Sequence, residues 1–205
     1  RHFDSILDVG ANDGGFAKWI APLVPGAALH CFEPLPAPVE SLRKWAARHH
    51  KALSVHEIAL SDFEGEAEIL EHVDHSTSSS LLPTTPENIA LFPFTARAAK
   101  RPIKVTTLDA WAARQSADLG RILLKLDVQG LEDSVLRGGT KTLLGVDACL
   151  VEVSIAHLYQ GQATFVTLVN LLHAAGLGYY GNLEQIHDER GTPIFVDCAF
   201  VRSRA

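Results

Sequence analysis

The stretch ILDVGANDGGF, residues 6–16, decides the fold that this chain is expected to adopt. An apolar strand runs into a turn of small residues and then into a helix, which is the order that opens a cofactor-binding βαβ unit. The glycines at positions 10, 14 and 15 permit a sharp turn and a close approach of the backbone to a ligand. We therefore expect a nucleotide-type cofactor at this turn.

The other residues of the turn narrow the choice of cofactor. A pyrophosphate-binding turn favours the pattern G-x-G-x-x-G, whereas Asn12 stands at the position of its second glycine. Asp8, at the end of the strand, would repel two phosphates but would hold a cationic amino group through charge-assisted hydrogen bonds. S-adenosylmethionine carries such a group, so these two residues favour it over a dinucleotide.

A second acidic residue supports an adenosine ligand. The apolar run AALHCF, residues 27–32, ends in Glu33 and Pro34. A carboxylate that closes the second strand of a βαβ unit is placed to accept hydrogen bonds from both ribose hydroxyls. An NAD enzyme would share this acid, so Glu33 does not choose between the two cofactors. Capping of the helix that follows is the alternative role for Glu33.

Length, composition and charge fit one compact enzyme domain over residues 1–205. A chain of 205 residues with 47% hydrophobic residues can bury a single α/β core. The formal net charge of −6 comes without a block of Lys and Arg, which argues against a nucleic-acid partner and favours a small or neutral substrate. No apolar run reaches the roughly 18 residues that a membrane helix requires, and we expect no signal peptide before the first strand.

The cysteines indicate the compartment. Cys31, Cys149 and Cys198 lie far apart, each inside an apolar, strand-like run. We expect buried thiols rather than a disulfide framework or a zinc cluster, and a reducing compartment such as the cytoplasm. The chain lacks methionine and opens close to its first strand, which leaves open whether a substrate-covering segment precedes Arg1. The oligomeric state does not follow from the sequence.

The remainder of the chain alternates strands and helices, as in a doubly wound α/β sheet. The expected strands are 5–9, 27–33, 53–60, 66–72, 104–108, 121–127, 148–153, 177–181 and 193–201. The expected helices are 14–23, 37–49, 109–115, one from about 131, and 163–175, with a short helical turn at 140–144. In the first helix, Phe16, Trp19, Ile20 and Leu23 recur at helical spacing. Strand 66–72 alternates polar and apolar residues, which predicts a hairpin with one wet face.

One stretch interrupts this alternation. Residues 74–101 contain a polar run, HSTSSS, followed by prolines, and show no periodicity that predicts a stable element. Loops of this length in a compact domain act as lids or binding loops, or are disordered. We expect a functional lid over residues 74–102, with disorder as the alternative.

The motifs, taken together, resemble a known family. DVGANDGGF, CFEP, IALSDFEG, VTTLD, LLKLDVQGLEDSVLRGG and LVEVS occur in the order and at the spacing of the FkbM-type family of S-adenosylmethionine-dependent methyltransferases. The resemblance extends from about residue 5 to about residue 201. It implies the class I methyltransferase fold, with a seven-stranded sheet whose last strand is antiparallel. It also implies O-methylation of a hydroxyl on a sugar, polyketide or other natural product.

The resemblance also implies roles for matched positions. The residues expected at the methionine end of the cofactor are Asp8, Gly10 and Asn12, with Glu33 at the ribose, Ser61 and Asp62 at the adenine, and Asp127 facing the methyl group. Asp62 has an alternative role in setting the turn into Gly65. Glu132 fits the first turn of a helix, where an acid complements the helix dipole.

Methyl transfer to a hydroxyl requires alignment of the oxygen and removal of a proton. Asp127 is the first candidate for the base. Lys125 lies two residues earlier, on the same face of a buried strand, and needs a partner there, for which Glu152 is the candidate. This pair has either a structural or a catalytic role. His157 is a further candidate for the base, with an ordinary surface position as the alternative.

Metal chemistry and other functions remain as alternatives. Residues 71–75, EHVDH, contain ligand types but lack the spacing of a zinc site, so we expect no metal. The Asn/Asp-Pro-Pro-aromatic signature expected of amino-group methyltransferases is absent, which favours a hydroxyl acceptor. The competing functions are a nicotinamide-dependent oxidoreductase on a similar sheet and a non-catalytic module that binds an adenosine cofactor.

Overall fold

A computed structural model describes residues 2–50 and 52–203 of the chain. Its strands are β1 (Ser5–Val9), β2 (Ala28–Phe32), β3 (Leu53–His56), β4 (Ala59–Ser61), β5 (Gly65–Glu71), β6 (Ala99–Thr107), β7 (Ile122–Leu126), β8 (Val146–Ser154), β9 (Leu177–His187) and β10 (Pro193–Arg202). Its α-helices are α1 (Gly15–Ile20), α2 (Pro36–His49), α3 (Pro86–Leu91), α4 (Leu108–Ala112), α5 (Glu132–Arg137) and α6 (Phe165–Ala174). The expected alternation of strands and helices is present, except that the expected strand 53–60 is divided into β3 and β4 and that α3 was not expected.

Seven strands form the main sheet in the order β3-β2-β1-β7-β8-β10-β9. The first five strands of this order are parallel, whereas β10 is antiparallel to both of its neighbours. The predicted seven-stranded sheet with an antiparallel last strand is confirmed. The carboxyl ends of the parallel strands lie along one edge, where doubly wound sheets bind their ligands.

The core consists of two apolar layers, one on each face of this sheet. Leu7 and Val9 of β1 pack into the layer that includes α5 and α6, while Ile6 packs into the layer that includes α1 and α2. Side chains alternate along a strand, so Asp8 lies on the same face as Ile6, beneath α1. The first cysteine, Cys31, is in the α1 layer and the other two in the opposite layer, and all three are free and buried.

The expected strand 53–60 is in fact two strands that belong to different sheets. β3 pairs with β2 in the main sheet, whereas β4 pairs with β6 in a three-stranded sheet of order β4-β6-β5. The chain turns between them at Ile58, whose N–H donates to the carbonyl of His56 at 3.0 Å. The expected hairpin is also corrected, because β5 pairs antiparallel with the distant β6.

The first helix is shorter than expected. It ends at Ile20, so Leu23 lies beyond its last turn and is 60% exposed. Trp19, expected on the apolar face, is also 60% exposed and packs its ring against Phe16 at the surface. Only Ile20 of the four expected apolar positions is buried.

The segment 74–101 contains defined elements, so the expectation that it holds no stable element is wrong. A 3₁₀ turn covers Ser76–Ser78, a second covers Pro93–Ala96, and α3 lies between them. Thr85 caps α3 by accepting a hydrogen bond from the N–H of Asn88 at 3.1 Å, and Pro86 occupies the first turn, where its missing N–H is not needed.

The described residues also bear on membrane spanning. Among residues 2–50 and 52–203, no helix is long and apolar enough to cross a membrane.

Candidate active site

A cavity opens where the parallel strands β1, β2 and β7 end. Gly10 and Asn12 from the β1–α1 turn, Glu33 after β2, and Asp127 and Gln129 after β7 contribute to its wall. Residues 76–81, termed the covering segment below, close the opposite side, where all of them except Ser78 line the cavity. The sequence-predicted residues of three separate strand ends therefore meet at one place in the fold.

The β1–α1 turn reaches this place because one of its residues is glycine. Gly10 has a φ of +80°, and a Cβ there would lie 1.8 Å from the carbonyl oxygen of Asp127. The strands β1 and β7 thus end so close together that no larger residue fits between them. Asn12 adopts a φ of 45°, a left-handed conformation that asparagine tolerates better than most residues. These two features hold the turn against the end of β7.

Glu33 is held by the backbone on both sides. Its Oε2 accepts from the N–H of Asn12 at 3.0 Å, and its Oε1 accepts from the N–H of Leu35 at 2.8 Å. Leu35, not Glu33, is the N-cap residue of α2, so the alternative role as a helix cap does not describe this carboxylate. Burial raises the pKa of Glu33 to about 7, against the effect of the two N–H donors.

The covering segment is fastened across the mouth of the cavity. The side-chain amide of Asn12 donates to the hydroxyl of Ser76 at 3.0 Å. The space left inside is about 90 Å³. Sites for cofactor-sized ligands begin at roughly 300 Å³. The residues of the wall suit a cofactor, and the covering segment narrows the space between them.

Asp127 is held by side chains rather than by backbone. Lys125 Nζ donates to its Oδ2 at 2.9 Å, and Gln129 Nε2 donates to its Oδ1 at 2.8 Å. The expected partner of Lys125 was Glu152, and the structure corrects this to Asp127. Lys125 and Asp127 are two residues apart and point to the same face, which brings Lys125 within reach of Asp127. Glu152 instead accepts from Gln129 at 2.9 Å. Neighbouring Asp127 and Asp8 raise the pKa of Lys125 against the effect of its burial.

Two residues of this network were not identified in the sequence analysis. Gln129 donates to both carboxylates and accepts at Oε1 from the hydroxyl of Tyr159 at 2.8 Å. Gln129 stands inside the motif LDVQG, two residues after Asp127, so its position in the motif was the available signal. Tyr159 is 30 residues away in sequence, and nothing in its surroundings there indicates that it approaches the site.

Asp8 is buried beneath α1, outside the lining of the cavity. Neither of its oxygens has a hydrogen-bonding partner among the described residues. Burial raises the pKa of Asp8 to about 6, with Lys125 opposing and Asp127 adding to the shift. A direct contact with the methionine end of a cofactor therefore stays a prediction, whereas proximity to Lys125 is a feature of the structure.

Three other predicted residues do not line the cavity. Ser61 is buried in the small sheet and donates to Asp62, which is exposed, because the break after β3 carries both away from the main sheet. Ile58, Ala59 and Leu60 occupy the wall in their place. His157 has an exposed side chain, and Thr85 donates to its backbone carbonyl.

Glu132 and His72 have partners that explain their burial. Glu132 Oε1 accepts from the N–H groups of Val128 and Gly130 at 2.9 and 3.2 Å, which fixes the turn after β7. Burial raises the pKa of Glu132 to about 7.

The ring nitrogens of His72 lie 3.1 Å from the Arg97 carbonyl and 3.1 Å from the Thr84 hydroxyl. In the part of the chain that the structure describes, no group of three His, Cys, Asp or Glu side chains is arranged to hold a metal ion.

Comparisons with known proteins identify the family of the chain. The family described as Methyltransferase FkbM domain matches residues 8–179. The chain is 32% identical over 178 residues to 2-O-methyltransferase NoeI of Sinorhizobium fredii (strain NBRC 101917 / NGR234), across 82% of this chain and 70% of that protein. It is 34% identical over 159 residues to 31-O-demethyl-FK506 methyltransferase FkbM of Streptomyces tacrolimicus, across 67% of this chain and 60% of that protein.

The same fold occurs in a solved methyltransferase structure. Magnesium protoporphyrin IX methyltransferase (ChlM) from Synechocystis PCC 6803, solved with bound SAM, matches with a TM-score of 0.53 at 9% identity. The match covers 98% of this chain and 71% of that chain. At this identity the similarity shows the fold alone, and it confirms the predicted class I methyltransferase fold.

Proposed function

The chain belongs to the FkbM methyltransferase family, and from this premise we propose that it transfers the methyl group of S-adenosylmethionine to a hydroxyl oxygen of a small molecule, sugar or other natural product. Both relatives are named for methylation at an oxygen, which supports the choice of atom. The observation that carries the proposal is the meeting of Asn12, Glu33 and Asp127 around one cavity at the carboxyl ends of three strands.

We assign the adenosine half of the cofactor to the Glu33 side of the cavity. Each oxygen of Glu33 takes one backbone N–H and keeps a lone pair for a ribose hydroxyl. Leu35, Ile58 and Leu60 form the adjoining apolar wall, which suits the flat faces of a purine ring. Because this wall replaces the predicted Ser61 and Asp62, we propose that these three residues face the adenine. Gly10, Asn12 and Asp127 then surround the methionine half.

When bound, the cofactor supplies a sulfonium-activated methyl group, so the protein has mainly to align the acceptor oxygen and take up its proton. We propose Asp127 for both tasks, because it borders the cavity and is fixed by Lys125 and Gln129. The hydroxyl proton passes to a free lone pair of this carboxylate. Lys125 borders a second cavity of about 370 Å³ on the α1 face, so the Lys125–Asp127 pair lies between the two cavities.

The covering segment would act as the lid over this site. Its closure through Asn12 and Ser76 would exclude water, and its opening would admit the cofactor. We also retain the expectations of a single domain, a small acceptor and no nucleic-acid partner. The three free, buried cysteines support the expected reducing compartment, such as the cytoplasm.

Two measurements test the proposed function. Calorimetry should show micromolar binding of S-adenosylhomocysteine and no tight binding of NAD. Incubation with methyl-labelled S-adenosylmethionine and a panel of hydroxylated acceptors should then give labelled product. Tight NAD binding without S-adenosylhomocysteine binding would indicate a nicotinamide-dependent oxidoreductase. Cofactor binding without transfer to any acceptor would indicate the non-catalytic module.

A further inference from the structure

Gln129 occupies a position where several independent contacts meet. Its side-chain amide nitrogen donates to Asp127 and to Glu152, and its amide oxygen accepts from Tyr159. Its backbone carbonyl accepts from the hydroxyl of Ser80 at 2.7 Å. Gln129 therefore contacts the carboxylate that we place opposite the methyl group and also a residue of the covering segment.

The chemistry of these partners fixes which way the amide points. An amide nitrogen only donates and an amide oxygen only accepts. The two carboxylates require the nitrogen on their side, and the phenol hydroxyl requires the oxygen on the other. A flipped amide would place its oxygen against Asp127 and Glu152 and would lose both hydrogen bonds. The hydroxyl of Tyr159 is thus a third contact that holds Gln129 in the orientation in which it donates to Asp127.

The hydroxyl of Tyr159 is shared between the network and the covering segment. It lies 2.8 Å from Gln129 Oε1 and 2.9 Å from the carbonyl oxygen of Ser78. Tyrosine has a single hydroxyl proton, so these two acceptors compete for it. Burial raises the pKa of Tyr159, which keeps that proton in place. Movement of Ser78 away with the covering segment would leave the whole donor to Gln129.

We propose that Gln129 is a positioning residue that orients Asp127 in response to the covering segment, with the hydroxyl of Tyr159 as the link between them. The backbone of Gln129 is consistent with such a constraint, since it adopts a φ of 57° that most residues avoid. The inference rests on the proposed function only in that Asp127 is taken to face the reacting group. The coupling itself requires neither cofactor nor acceptor.

The coupling can be measured on the free protein. Aspartate is labelled with ¹³C at the carboxyl carbon, and the signal of Asp127 is assigned by its loss in Asp127→Asn. Tyr159→Phe should shift this signal when Gln129 is present and leave it in place in a Gln129→Asn background. Asparagine tolerates the left-handed backbone but is too short for the same contacts. Tyr179→Phe is the matched control, because it removes a hydroxyl that donates to Asn182, away from this network.

Hydrogen exchange at the amides of Ser78 and Ser79 provides a second readout. Tyr159→Phe should speed exchange about 2- to 10-fold, as expected for loss of one hydrogen bond. Gln129→Asn should slow it, because Ser78 then receives the hydroxyl proton without competition. A merely structural Gln129 would instead loosen the segment and speed exchange in this variant.

The proposal is overturned if Tyr159→Phe leaves the Asp127 signal unchanged, or shifts it equally in both backgrounds. Faster exchange in Gln129→Asn overturns it as well. If Tyr159→Phe does not fold, the Gln129→Asn variant alone tests the proposal. Slower hydrogen exchange at Ser78 and Ser79 supports it, and faster exchange overturns it. Because no ligand is added, a failure here is distinct from a failure to bind S-adenosylhomocysteine, which would count against the proposed function.

Discussion

Two acidic residues border the same cavity but are held in different ways. Glu33, at the end of β2, receives two backbone N–H groups and has no basic partner within 4.0 Å among the described residues. Asp127, at the end of β7, receives two side chains, Lys125 and Gln129. Backbone hydrogen bonds position the carboxylate of Glu33, whereas a network of side chains positions that of Asp127.

This difference determines how each side responds to mutation. Replacing Glu33 leaves two backbone donors in place, so the effect should be confined to the cofactor pocket. Replacing a member of the Asp127 network changes the partners of every other member, so the effects should be large and non-additive. The cofactor side is thus expected to respond locally and the reacting side as a unit.

The largest effect is expected on the reacting side. Asp127→Asn should lower kcat by about 10²- to 10⁴-fold on an acceptor from the labelling panel, which is the usual range for loss of general-base catalysis. Affinity for S-adenosylhomocysteine should change little, because asparagine keeps the shape and one acceptor oxygen. Steady-state kinetics and calorimetry on the same preparation measure the two quantities.

Two controls separate charge from packing in this experiment. Lys125→Met removes the partner of Asp127 and should lower the melting temperature, because it leaves a carboxylate without its ion pair. Asp118→Asn alters an exposed loop carboxylate and should leave kcat unchanged. Full activity of Asp127→Asn would show that alignment alone suffices for transfer and that no base is required at this position.

The second largest effect is expected on the cofactor side. Glu33→Ala should weaken S-adenosylhomocysteine binding by about 1.5–3 kcal/mol, the range for a hydrogen bond to a charged group. It also leaves the N–H groups of Asn12 and Leu35 without their acceptor, so thermal stability should be measured in parallel. Glu66→Ala, on the exposed side of β5, is the matched control. An unchanged affinity would mean that Glu33 serves the backbone alone.

The fold could be predicted well because its signals are local. The run before Gly10 and the run before Glu33 mark buried parallel strands, and the structure confirms both. The third strand was misjudged because Leu53 to Leu60 contains no Gly, Pro, Asn or Asp that would mark a break. Its division depends on β6, which is distant in sequence and pairs with the second half. A short segment of sequence does not show which distant strand it will pair with.

The candidate site could be predicted only where its residues end the parallel strands. Glu33 and Asp127 follow β2 and β7, and strand order alone brings them to one edge of the sheet. Tyr159 and Ser76 come from a loop and a 3₁₀ turn, and only tertiary packing brings them near the cavity. His157 was chosen for its titration range, yet its side chain is exposed and Tyr159, two residues later, is buried against Gln129.

A pH dependence of about tenfold should further distinguish the two carboxylates. Burial raises the pKa of Glu33 to about 7, so below that pH it is protonated in the free protein. Ribose hydroxyls favour the ionised form, so S-adenosylhomocysteine affinity should rise about tenfold from pH 6 to pH 8 and then level off. In Glu33→Gln this rise should disappear. A rise that persists in the variant would assign the titration to another group.

The smallest effect concerns the covering segment. Ser76→Ala removes the hydroxyl that Asn12 holds across the mouth of a cavity of about 90 Å³. If this contact keeps the segment closed, its loss should speed association of S-adenosylhomocysteine about 2- to 10-fold, the range for one hydrogen bond. Stopped-flow fluorescence measures the rate, with Ser54→Ala on the exposed side of β3 as control. An association rate equal to that of the wild type would show that the Asn12–Ser76 contact does not limit opening of the covering segment. The difference between the cofactor side and the reacting side would then not involve this segment.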